Sequence, residues 1–423
     1  MSSRGSSSSS ASGSSPCELN DWEWSRFKEE LDLAKWPNAN KRVGVALVGL
    51  GRMGLIHLRN LIREPRAALL YCVDADQTRL DACAKSVFFQ ESGIRTLHSD
   101  DLKIALADKR VDAVVIATPT DFHERQVRLA LEAGKNVMCE KPLTPLTASI
   151  MPLYQLAKEN RVGLMAAFNR RYDPDFRYLR EKAINRTLGP LHMVRITARD
   201  NERPPLRYIQ SSSGIFHDTC IHDIDMCLWM MRQLPISVQV VGKTWKEFFK
   251  SDELANKELS DRDREILETI DDYFLVIITL KFGDGSIGVL DNSRQANYGY
   301  DQRCEIYGTK GMLKCDGRRP LNSIECKADG MTRSTLNYGF ASRFSTAYIN
   351  ELQDILTIAE MTKNGDTSVA PADYQFIEPT RPSLVIATHT IADACVEAAK
   401  SGNLKILEWS KEFRELFDSE IRQ

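Results

Sequence analysis

Three kinds of feature are missing from this sequence. Its ten cysteines include no C-x-x-C pair and no spacing typical of a disulfide framework, and no secretory signal precedes them. The apolar stretches are short and interrupted, which excludes a transmembrane helix. The formal net charge is only −2, so no strong field of one sign points to nucleic acid or to an anionic membrane. We therefore expect a cytoplasmic protein with reduced, mostly buried thiols.

The N-terminus has little material for a folded core. Residues 1–15 are almost entirely serine, glycine and alanine, without the apolar core of a signal peptide. We expect residues 1–40 to form a disordered serine-rich tail with a short amphipathic helix over 21–36. A transit peptide is the alternative, but such peptides are rich in arginine, and Arg4 is alone in this stretch.

From Val43 onward the sequence alternates apolar strands with helices. VGVALVG is a continuous apolar run, as expected for a strand buried on both faces. VDAVVIATP, NVMCE and VGLMAAF are further runs of this kind, with predicted helices between them. The alternation predicts an α/β fold, a doubly wound parallel sheet that forms a dinucleotide-binding Rossmann domain over residues 41–167.

The pattern changes after Phe168. Stretches such as HMVRITARD, SVQVVGKTW and YFLVIITLKF predict β-strands with few helices between them. We expect an α+β domain with a large, mostly antiparallel open sheet over residues 168–402, and a C-terminal tail over 403–423. Residues 246–272 interrupt the strands with a charged, helix-prone segment, interpreted as a solvated insertion or, alternatively, as a partner-binding surface.

A glycine-rich turn follows the first strand and has the G-x-G-x-x-G spacing of a dinucleotide-binding loop, Gly49-Leu50-Gly51-Arg52-Met53-Gly54. Gly49 permits the tight turn, Gly51 lets the backbone approach a pyrophosphate, and Gly54 allows close helix–strand packing. Asp74 ends the second strand, where a carboxylate binds the ribose hydroxyls of NAD and repels the 2′-phosphate of NADP. Arg79 is the nearest arginine, but it belongs to the next helix, so we expect NAD as the cofactor and NADP as the alternative.

Two further loops follow strand ends and should line the cofactor. The residues we expect there are Thr118, Pro119, His123, Glu140 and Lys141. Pro142 biases Lys141 towards extended backbone geometry, which aims the lysine side chain. For the loop that contains His123, a plain turn with a helix cap is the alternative interpretation.

The segment SSGIFHDTCIHDIDMCLWMM contains the strongest catalytic pattern. Asp218 and His222 are four residues apart, so on a helix they share one face. An aspartate beside a histidine suits proton transfer near neutral pH. Metal ligation is one alternative, although no zinc-type spacing such as H-E-x-x-H is present; we predict no metal. A core histidine is the other alternative.

Together these motifs resemble those of the Gfo/Idh/MocA oxidoreductase family, and within it the inositol dehydrogenase branch most closely. The matching stretches are VGLGRMG at 48–54, ATPTDFH at 117–123, AGKNVMCEKPL at 133–143, FNRRYDP at 168–174, GIFHDTCIHDID at 214–225 and NSRQANYGYDQRCEIYGTKGML at 292–313.

The resemblance implies roles for individual residues. It makes Lys141 a hydrogen-bond donor to the reacting hydroxyl, His222 the general base and Asp218 the partner of His222. It also implies that four residues contact the substrate, namely Asn169, Arg171, Tyr298 and Tyr300. Family members commonly assemble through the open face of the second sheet, which implies a homo-oligomer.

The predicted reaction is hydride transfer from a secondary alcohol of a cyclic polyol, such as myo-inositol, or of a sugar to NAD. Two alternatives stay open: an NADP-dependent sugar or dihydrodiol oxidoreductase of the same family, and a non-enzymatic dinucleotide-binding regulator. Lys141, Asp218 and His222 together argue against a regulator, because a regulator needs no proton relay. A scaffold whose added segments matter more than its pocket is a third, weaker possibility.

Overall fold

The computed structural model describes residues 42–317, 319, 324–328, 330–334, 336–365 and 380–422. The tail and the helix predicted for residues 1–40 lie outside this part of the chain. The chain folds into two compact units, which meet in sequence at Ala117 and Thr118. The domain boundary predicted near residue 167 therefore stays a prediction.

The described residues form fifteen strands. They are β1 (Val43–Val48), β2 (Ala67–Asp74), β3 (Arg95–His98), β4 (Ala113–Ile116), β5 (Asn136–Glu140), β6 (Leu164–Ala167), β7 (Leu191–Arg199), β8 (Pro235–Thr244), β9 (Tyr273–Phe282), β10 (Ile287–Ser293), β11 (Asp301–Gly308), β12 (Gly311–Cys315), β13 (Ile324–Lys327), β14 (Gly330–Arg333) and β15 (Lys405–Ile406).

The helices of the described chain connect and cover these strands. They are α1 (Arg52–Arg63), α2 (Gln77–Lys85), α3 (Val87–Ser92), α4 (Leu102–Ala107), α5 (His123–Glu132), α6 (Ile150–Glu159), α7 (Pro174–Ile184), α8 (Leu206–Ser211), α9 (Ile221–Met231), α10 (Trp245–Ser251), α11 (Glu253–Lys257), α12 (Asp261–Thr269), α13 (Phe340–Arg343), α14 (Ser345–Lys363), α15 (Pro382–Ser401) and α16 (Lys411–Arg422). None of these helices has the length and apolar content needed to cross a bilayer.

The first sheet has the predicted doubly wound order, β3-β2-β1-β4-β5-β6. Strand β1 pairs in parallel with β2 and β4, and β5 pairs in parallel with β6. All residues of β1, β4, β5 and β6 are buried. These strands are mostly apolar because both faces are covered, as parallel sheets require, and Asn136 and Glu140 at the two ends of β5 are the buried polar exceptions.

The second sheet is the predicted large and mostly antiparallel one. Its seven strands have the order β12-β11-β7-β10-β9-β8-β15, and only β7 and β10 pair in parallel. Gly285, with a φ of 88°, lies in the hairpin between β9 and β10 that the Asp-Gly pair predicts. The fold class is therefore confirmed in both halves.

The charged segment over 246–272 is helical as predicted, but it is not simply solvated. Helices α10 to α12 enclose a core of their own with Trp245, Phe249 and Leu267, and they bury part of α8 against it. The charged residues face outwards, whereas the aromatic residues between them repeat at helical spacing and pack inwards.

The C-terminal stretch is folded, and calling it a tail is wrong. Lys405 and Ile406 add an edge strand to the second sheet. The Trp409 indole N–H donates to the Pro235 carbonyl at 2.7 Å, and Phe417 of α16 is buried. Apolar side chains at helical spacing dock this end of the chain.

Nine cysteines lie in the described part of the chain, and all of them are free thiols. Eight are buried, and Cys326 is exposed.

Candidate active site

The glycine-rich turn of the first unit has the shape that its sequence predicts. Gly49 has a φ of 98°, which favours glycine, and it connects β1 to the start of α1. A Cβ on Gly54 would lie 1.9 Å from the Gly49 carbonyl oxygen, so only glycine lets α1 approach the turn. This arrangement allows α1 to begin directly beside the end of β1.

The N-terminus of α1 is open to an anion. Gly51 is the N-cap residue and provides no side-chain cap for the first turn of the helix. A Cβ on Gly51 would meet no atom nearer than 3.9 Å. The turn therefore fits a pyrophosphate at a helix N-terminus.

Asp74 is held in place at the end of β2. Its Oδ2 accepts from the Leu50 N–H at 2.5 Å, and its Oδ1 accepts from the Asp76 N–H at 2.8 Å. Each carboxylate oxygen can accept a second hydrogen bond. The Asp74 carboxylate can thus still receive the two hydroxyls of a ribose.

The expectation that Asp74 has no arginine beside it is wrong. Arg79 Nη1 lies 3.5 Å from Asp74 Oδ2, and Arg79 Nε lies 3.4 Å from Asp76 Oδ2. Helix α2 begins at Gln77, so its first turn brings residue 79 back to the strand end. The guanidinium is about half exposed, and a cation beside this carboxylate would favour a 2′-phosphate.

In the second unit, His123 ties two loops together. Its Nδ1 lies 2.8 Å from the Pro142 carbonyl and its Nε2 lies 2.8 Å from the Thr118 carbonyl. Desolvation lowers the pKa of His123, although both carbonyls oppose the shift. The Thr118 hydroxyl donates to Gln126 Oε1 at 2.6 Å, and Pro119 precedes a short helical turn. His123 thus organises the loop, and direct cofactor contact by Thr118, Pro119 and His123 stays a prediction.

Lys141 and Asp218 meet, although they are far apart in sequence. Lys141 Nζ donates to the Asp218 carbonyl oxygen at 2.6 Å and to Asp218 Oδ1 at 3.3 Å. The peptide bond between Lys141 and Pro142 is cis. The preceding residue, Glu140, is buried, and its charge contributes to the raised pKa of the buried Glu351, which burial itself raises most.

Two residues to which the family resemblance gives no role also hold Asp218. Arg294 Nη1 donates to Asp218 Oδ2 at 2.8 Å, and the Tyr208 hydroxyl donates to the same oxygen at 2.9 Å. Burial raises the pKa of the Asp218 carboxyl, but the Lys141 and Arg294 cations outweigh it and hold the pKa well below its usual value. Asp218 is therefore a fixed anion.

His222 follows a π-helical turn over Phe216–Cys220, a local distortion that is common at functional sites. Burial lowers the pKa of His222 well below its usual value, and Arg170 and Lys141 lower it further, while Asp218 opposes them. Its buried Nδ1 has no hydrogen-bond partner among the described residues. The imidazole is thus neutral near pH 7 and can accept a proton.

Asp218 and His222 interact in a different way from the predicted pair. The carboxylate oxygens of Asp218 bond to Lys141, Tyr208 and Arg294. Asp218 therefore acts on His222 through its charge, which raises the pKa of the imidazole.

The structure changes the expected role of Arg171. Its guanidinium forms a buried, bidentate ion pair with Asp225 of α9, and both side chains are at most 2% exposed. The neighbouring Arg170 pairs with Asp223, also in the core. A substrate contact through the Arg171 side chain conflicts with this pairing, because its charge is already matched in the core.

The other three predicted substrate residues differ in exposure. Asn169 is buried in the short helical turn over Asn169–Tyr172. Tyr298 is 57% exposed and donates to Asp301 Oδ2 at 2.8 Å. Tyr300 is buried, burial raises its pKa, and its ring packs edge-on against Phe344. Substrate contact by Asn169, Tyr298 and Tyr300 stays a prediction.

Among the described residues, no group of three His, Cys, Asp or Glu side chains could hold a metal ion. The open helix N-terminus, the carboxylate that ends β2 and a neutral histidine beside a lysine define the class: a dinucleotide-dependent oxidoreductase with a Rossmann fold.

Comparison with known proteins assigns the chain within this class. The sequence model described as "Oxidoreductase family, NAD-binding Rossmann fold" matches residues 43–168, and that of the GFO/IDH/MocA C-terminal domain matches residues 176–314. The chain is 32% identical to the inositol 2-dehydrogenase of Rhizobium meliloti strain 1021 over 332 residues, 78% of this chain and 93% of that protein. It is 34% identical to the myo-inositol 2-dehydrogenase of Thermotoga maritima over 326 residues, 77% and 89% of the two chains.

A solved structure agrees with these relatives. The crystal structure of a myo-inositol dehydrogenase from Corynebacterium glutamicum superposes with a TM-score of 0.71 at 27% identity, covering 87% of this chain and all of that one. The protein therefore belongs to the GFO/IDH/MocA oxidoreductase family, as its motifs predict.

Proposed function

We propose that this protein is an NAD-dependent dehydrogenase that oxidises a secondary hydroxyl of a cyclic polyol, with myo-inositol as the first candidate. The observation that carries the proposal is the cluster of Lys141, Asp218 and His222, in which a lysine and a neutral histidine flank a fixed anion. The names of the relatives support inositol as the substrate class.

NAD, when bound, would supply the hydride acceptor for the carbon that bears the hydroxyl. His222 takes the hydroxyl proton, because its depressed pKa keeps the imidazole neutral and able to accept a proton at physiological pH. The Lys141 ammonium donates a hydrogen bond to the oxygen as negative charge develops there. Asp218 fixes the position of the Lys141 ammonium by accepting two of its hydrogen bonds.

The first unit would bind the cofactor. The N-terminus of α1, which has no side-chain cap, suits the pyrophosphate, and Asp74 suits the ribose hydroxyls. Catalysis requires the nicotinamide to reach the cluster that contains Lys141. NAD rather than NADP is proposed because the Asp74 carboxylate repels a 2′-phosphate, an effect that Arg79 weakens.

A polyol is favoured over an apolar substrate by polar side chains at positions that the resemblance assigns to the substrate. Asn169 offers a side-chain amide, and Tyr298 offers an exposed phenol. Direct contact of these two residues with the substrate is part of the proposal. Arg171 is excluded from it by the buried pair with Asp225.

We also propose that the protein works in the cytoplasm as a homo-oligomer. Free, mostly buried thiols suit a reducing compartment. The exposed face of the second sheet carries Val241, Ile277, Ile287 and Met312, which a second copy could cover.

A panel of polyols and sugars tests the function, with NADH formation followed by absorbance. The proposal expects turnover of myo-inositol or a close cyclic polyol or pyranose with NAD. Turnover of hydrophobic diols or aldehydes alone would move the protein to another branch of the family. A Lys141→Met variant serves as the control, because it keeps the glycine-rich turn and removes the ammonium.

A further inference from the structure

The Asp218 carboxylate is oriented by a tyrosine that no motif contains. The Tyr208 hydroxyl donates to Asp218 Oδ2 at 2.9 Å, and Lys141 uses the other oxygen, Oδ1, at 3.3 Å. Arg294 shares Oδ2 with Tyr208. A carboxylate held on one oxygen by two donors has little freedom to rotate, so its second oxygen stays directed at Lys141.

Tyr208 is itself held by the helical segment that interrupts the second sheet. Tyr208 packs against the buried core that contains Trp245, Phe249 and Phe274, and these three residues form an aromatic cluster with Phe248. Within it, the Phe248 ring stacks on Phe274 with 4.0 Å between centroids, and Trp245 meets Phe274 edge-on at 5.2 Å. Large aromatic contacts of this kind restrict the ring that packs on them.

The end of the same segment contacts the catalytic turn from a second direction. Asp272 Oδ1 accepts from the Ile215 N–H at 2.9 Å, just before the π-helical turn that contains Asp218. Asp272 Oδ2 lies 3.9 Å from Arg294 Nη2. Both donors to Asp218 Oδ2 are thus connected to this segment, Tyr208 through the aromatic cluster and Arg294 through Asp272.

We propose that Tyr208 is a positioning residue for the reaction: its hydroxyl, held by the aromatic cluster, keeps the Asp218 carboxylate directed at Lys141 and away from His222. The proposal rests on the proposed function. It also gives the charged segment over 246–272 a role. Residues of this segment hold Tyr208, so their removal loosens Lys141 and leaves the glycine-rich turn unchanged.

Loss of the Tyr208 hydroxyl would affect both Lys141 and His222, the two residues between which Asp218 can choose. A carboxylate released from Tyr208 can turn towards the buried Nδ1 of His222, which has no partner among the described residues. Lys141 would then lose one of its two acceptors. The hydride step slows, while binding of NAD at the first unit is unaffected.

The primary test is Tyr208→Phe, which removes only the hydroxyl. We expect the maximal rate on myo-inositol to fall about 10-fold or more, the loss typical of a hydrogen bond to a charged group, with KM for NAD unchanged. The deuterium isotope effect on kcat, measured with inositol deuterated at the reacting carbon, should rise because hydride transfer becomes more rate-limiting. A general loss of folded enzyme would lower the rate and leave the isotope effect as it is.

Tyr71→Phe is the matched control, since its hydroxyl also donates to an aspartate, Asp108 Oδ2, at 2.8 Å in the first unit. It should leave both the rate and the isotope effect unchanged. Phe248→Ala tests whether the aromatic cluster holds Tyr208. It should lower kcat of the wild-type enzyme, and it should cause little further loss of kcat in the Tyr208→Phe background. Additive effects of the two changes would overturn the role of the aromatic cluster.

An unchanged rate and isotope effect in Tyr208→Phe would overturn the positioning role. If the wild-type enzyme turns over no polyol or sugar, the proposed function fails instead. The contact itself is then tested by denaturant midpoints of Tyr208→Phe, Asp218→Asn and the double variant. Non-additive shifts of the denaturant midpoint in the double variant support the Tyr208–Asp218 hydrogen bond, and additive shifts contradict it.

Discussion

His222 is the residue whose surroundings define the chemistry most closely. Burial and the cations of Arg170 and Lys141 lower its pKa well below the ordinary value, and the fixed anion of Asp218 only partly opposes them. A histidine kept neutral in this way is ready to accept a proton at physiological pH, and it does not need Asp218 as a hydrogen-bonding partner to do so.

The first prediction concerns the removal of this base. His222→Ala should lower kcat by about 10²–10⁴-fold, the usual cost of losing a general base, and leave NADH binding nearly intact. Steady-state rates and a fluorescence titration of NADH measure the two effects. Near-normal turnover in His222→Ala would remove the base assignment and favour the core-histidine interpretation.

The second prediction is a pH dependence. The neutral imidazole is the active form, so the rate should fall as the pH drops below the depressed pKa of His222. This acidic limb of the pH–rate profile should lie below about pH 6.5. Because the Lys141 cation is one cause of the depression, Lys141→Met should move the limb to higher pH even though its rate is lower. A limb that stays in place in this variant would contradict the electrostatic account.

The third prediction concerns the choice of cofactor. Arg79 neutralises part of the Asp74 charge, so the wild-type enzyme should prefer NAD only moderately. Arg79→Gln should increase the preference for NAD, because the cation available to a 2′-phosphate is gone, and Asp74→Ala should decrease it. The ratio of kcat/KM for the two cofactors measures both changes. A higher kcat/KM with NADP than with NAD in the wild-type enzyme would contradict the assignment of NAD.

Some residues of the site could be predicted from the sequence, and others could not. The glycines at 49 and 54, Lys141 and Asp218 belong to motifs whose spacing itself requires the local geometry. Arg79 and Tyr208 reach their partners only through tertiary structure: the first turn of α2 returns Arg79 to the strand end, and the aromatic cluster places Tyr208. No spacing in the sequence indicates such contacts.

At the scale of elements, the turn over Asn169–Tyr172 anchors the second unit through buried ion pairs. Arg170 and Arg171 pair with Asp223 and Asp225 of α9, and Arg343 pairs with Asp173 at 2.6 Å. The motif N-R-R-Y-D therefore stabilises the fold around the site, although sequence reasoning assigns Arg171 to the substrate.

The fourth prediction follows from these pairs. Arg171→Met removes the bidentate partner of the buried Asp225 carboxylate and should destabilise the protein by about 3–5 kcal/mol. The double variant Arg171→Met with Asp225→Leu should recover most of this loss, because neither charge remains. Denaturant unfolding measures both. A variant Arg171→Met with wild-type stability and a raised KM for inositol would restore the substrate role.

The strands were the most predictable elements, because continuous apolar runs leave few other conformations. The sequence also predicts two amphipathic helices, over 344–363 and 381–401, and both form, as Ser345–Lys363 and Pro382–Ser401. The C-terminal strand and helix could not be predicted, since their docking depends on single anchors such as Trp409 and Phe417.

At the scale of the whole molecule, the second sheet has exposed apolar residues on one face. Val241 and Ile277 are paired across β8 and β9, and they are 68% and 44% exposed. Strand β10, next to β9, adds the exposed Ile287, and Met312 is exposed on β12 towards the other edge of the sheet. An exposed apolar patch of this kind is typical of an interface.

The fifth prediction is that this face joins copies of the chain. Ile277→Lys should reduce the molar mass measured by light scattering to that of a monomer, because a lysine cannot be buried there without a partner. Leu254→Lys is the control, as Leu254 is 75% exposed on α11, outside the sheet. A monomeric wild-type protein, or an unchanged mass in Ile277→Lys, would refute this interface.

The most direct measurement of the central claim is NADH formation from myo-inositol by the wild-type protein and by His222→Ala, assayed side by side at saturating NAD. The account predicts turnover by the wild type and a loss of about 10²–10⁴-fold in the variant. No NADH formation from any cyclic polyol or sugar by a folded, NAD-binding wild-type protein would contradict it.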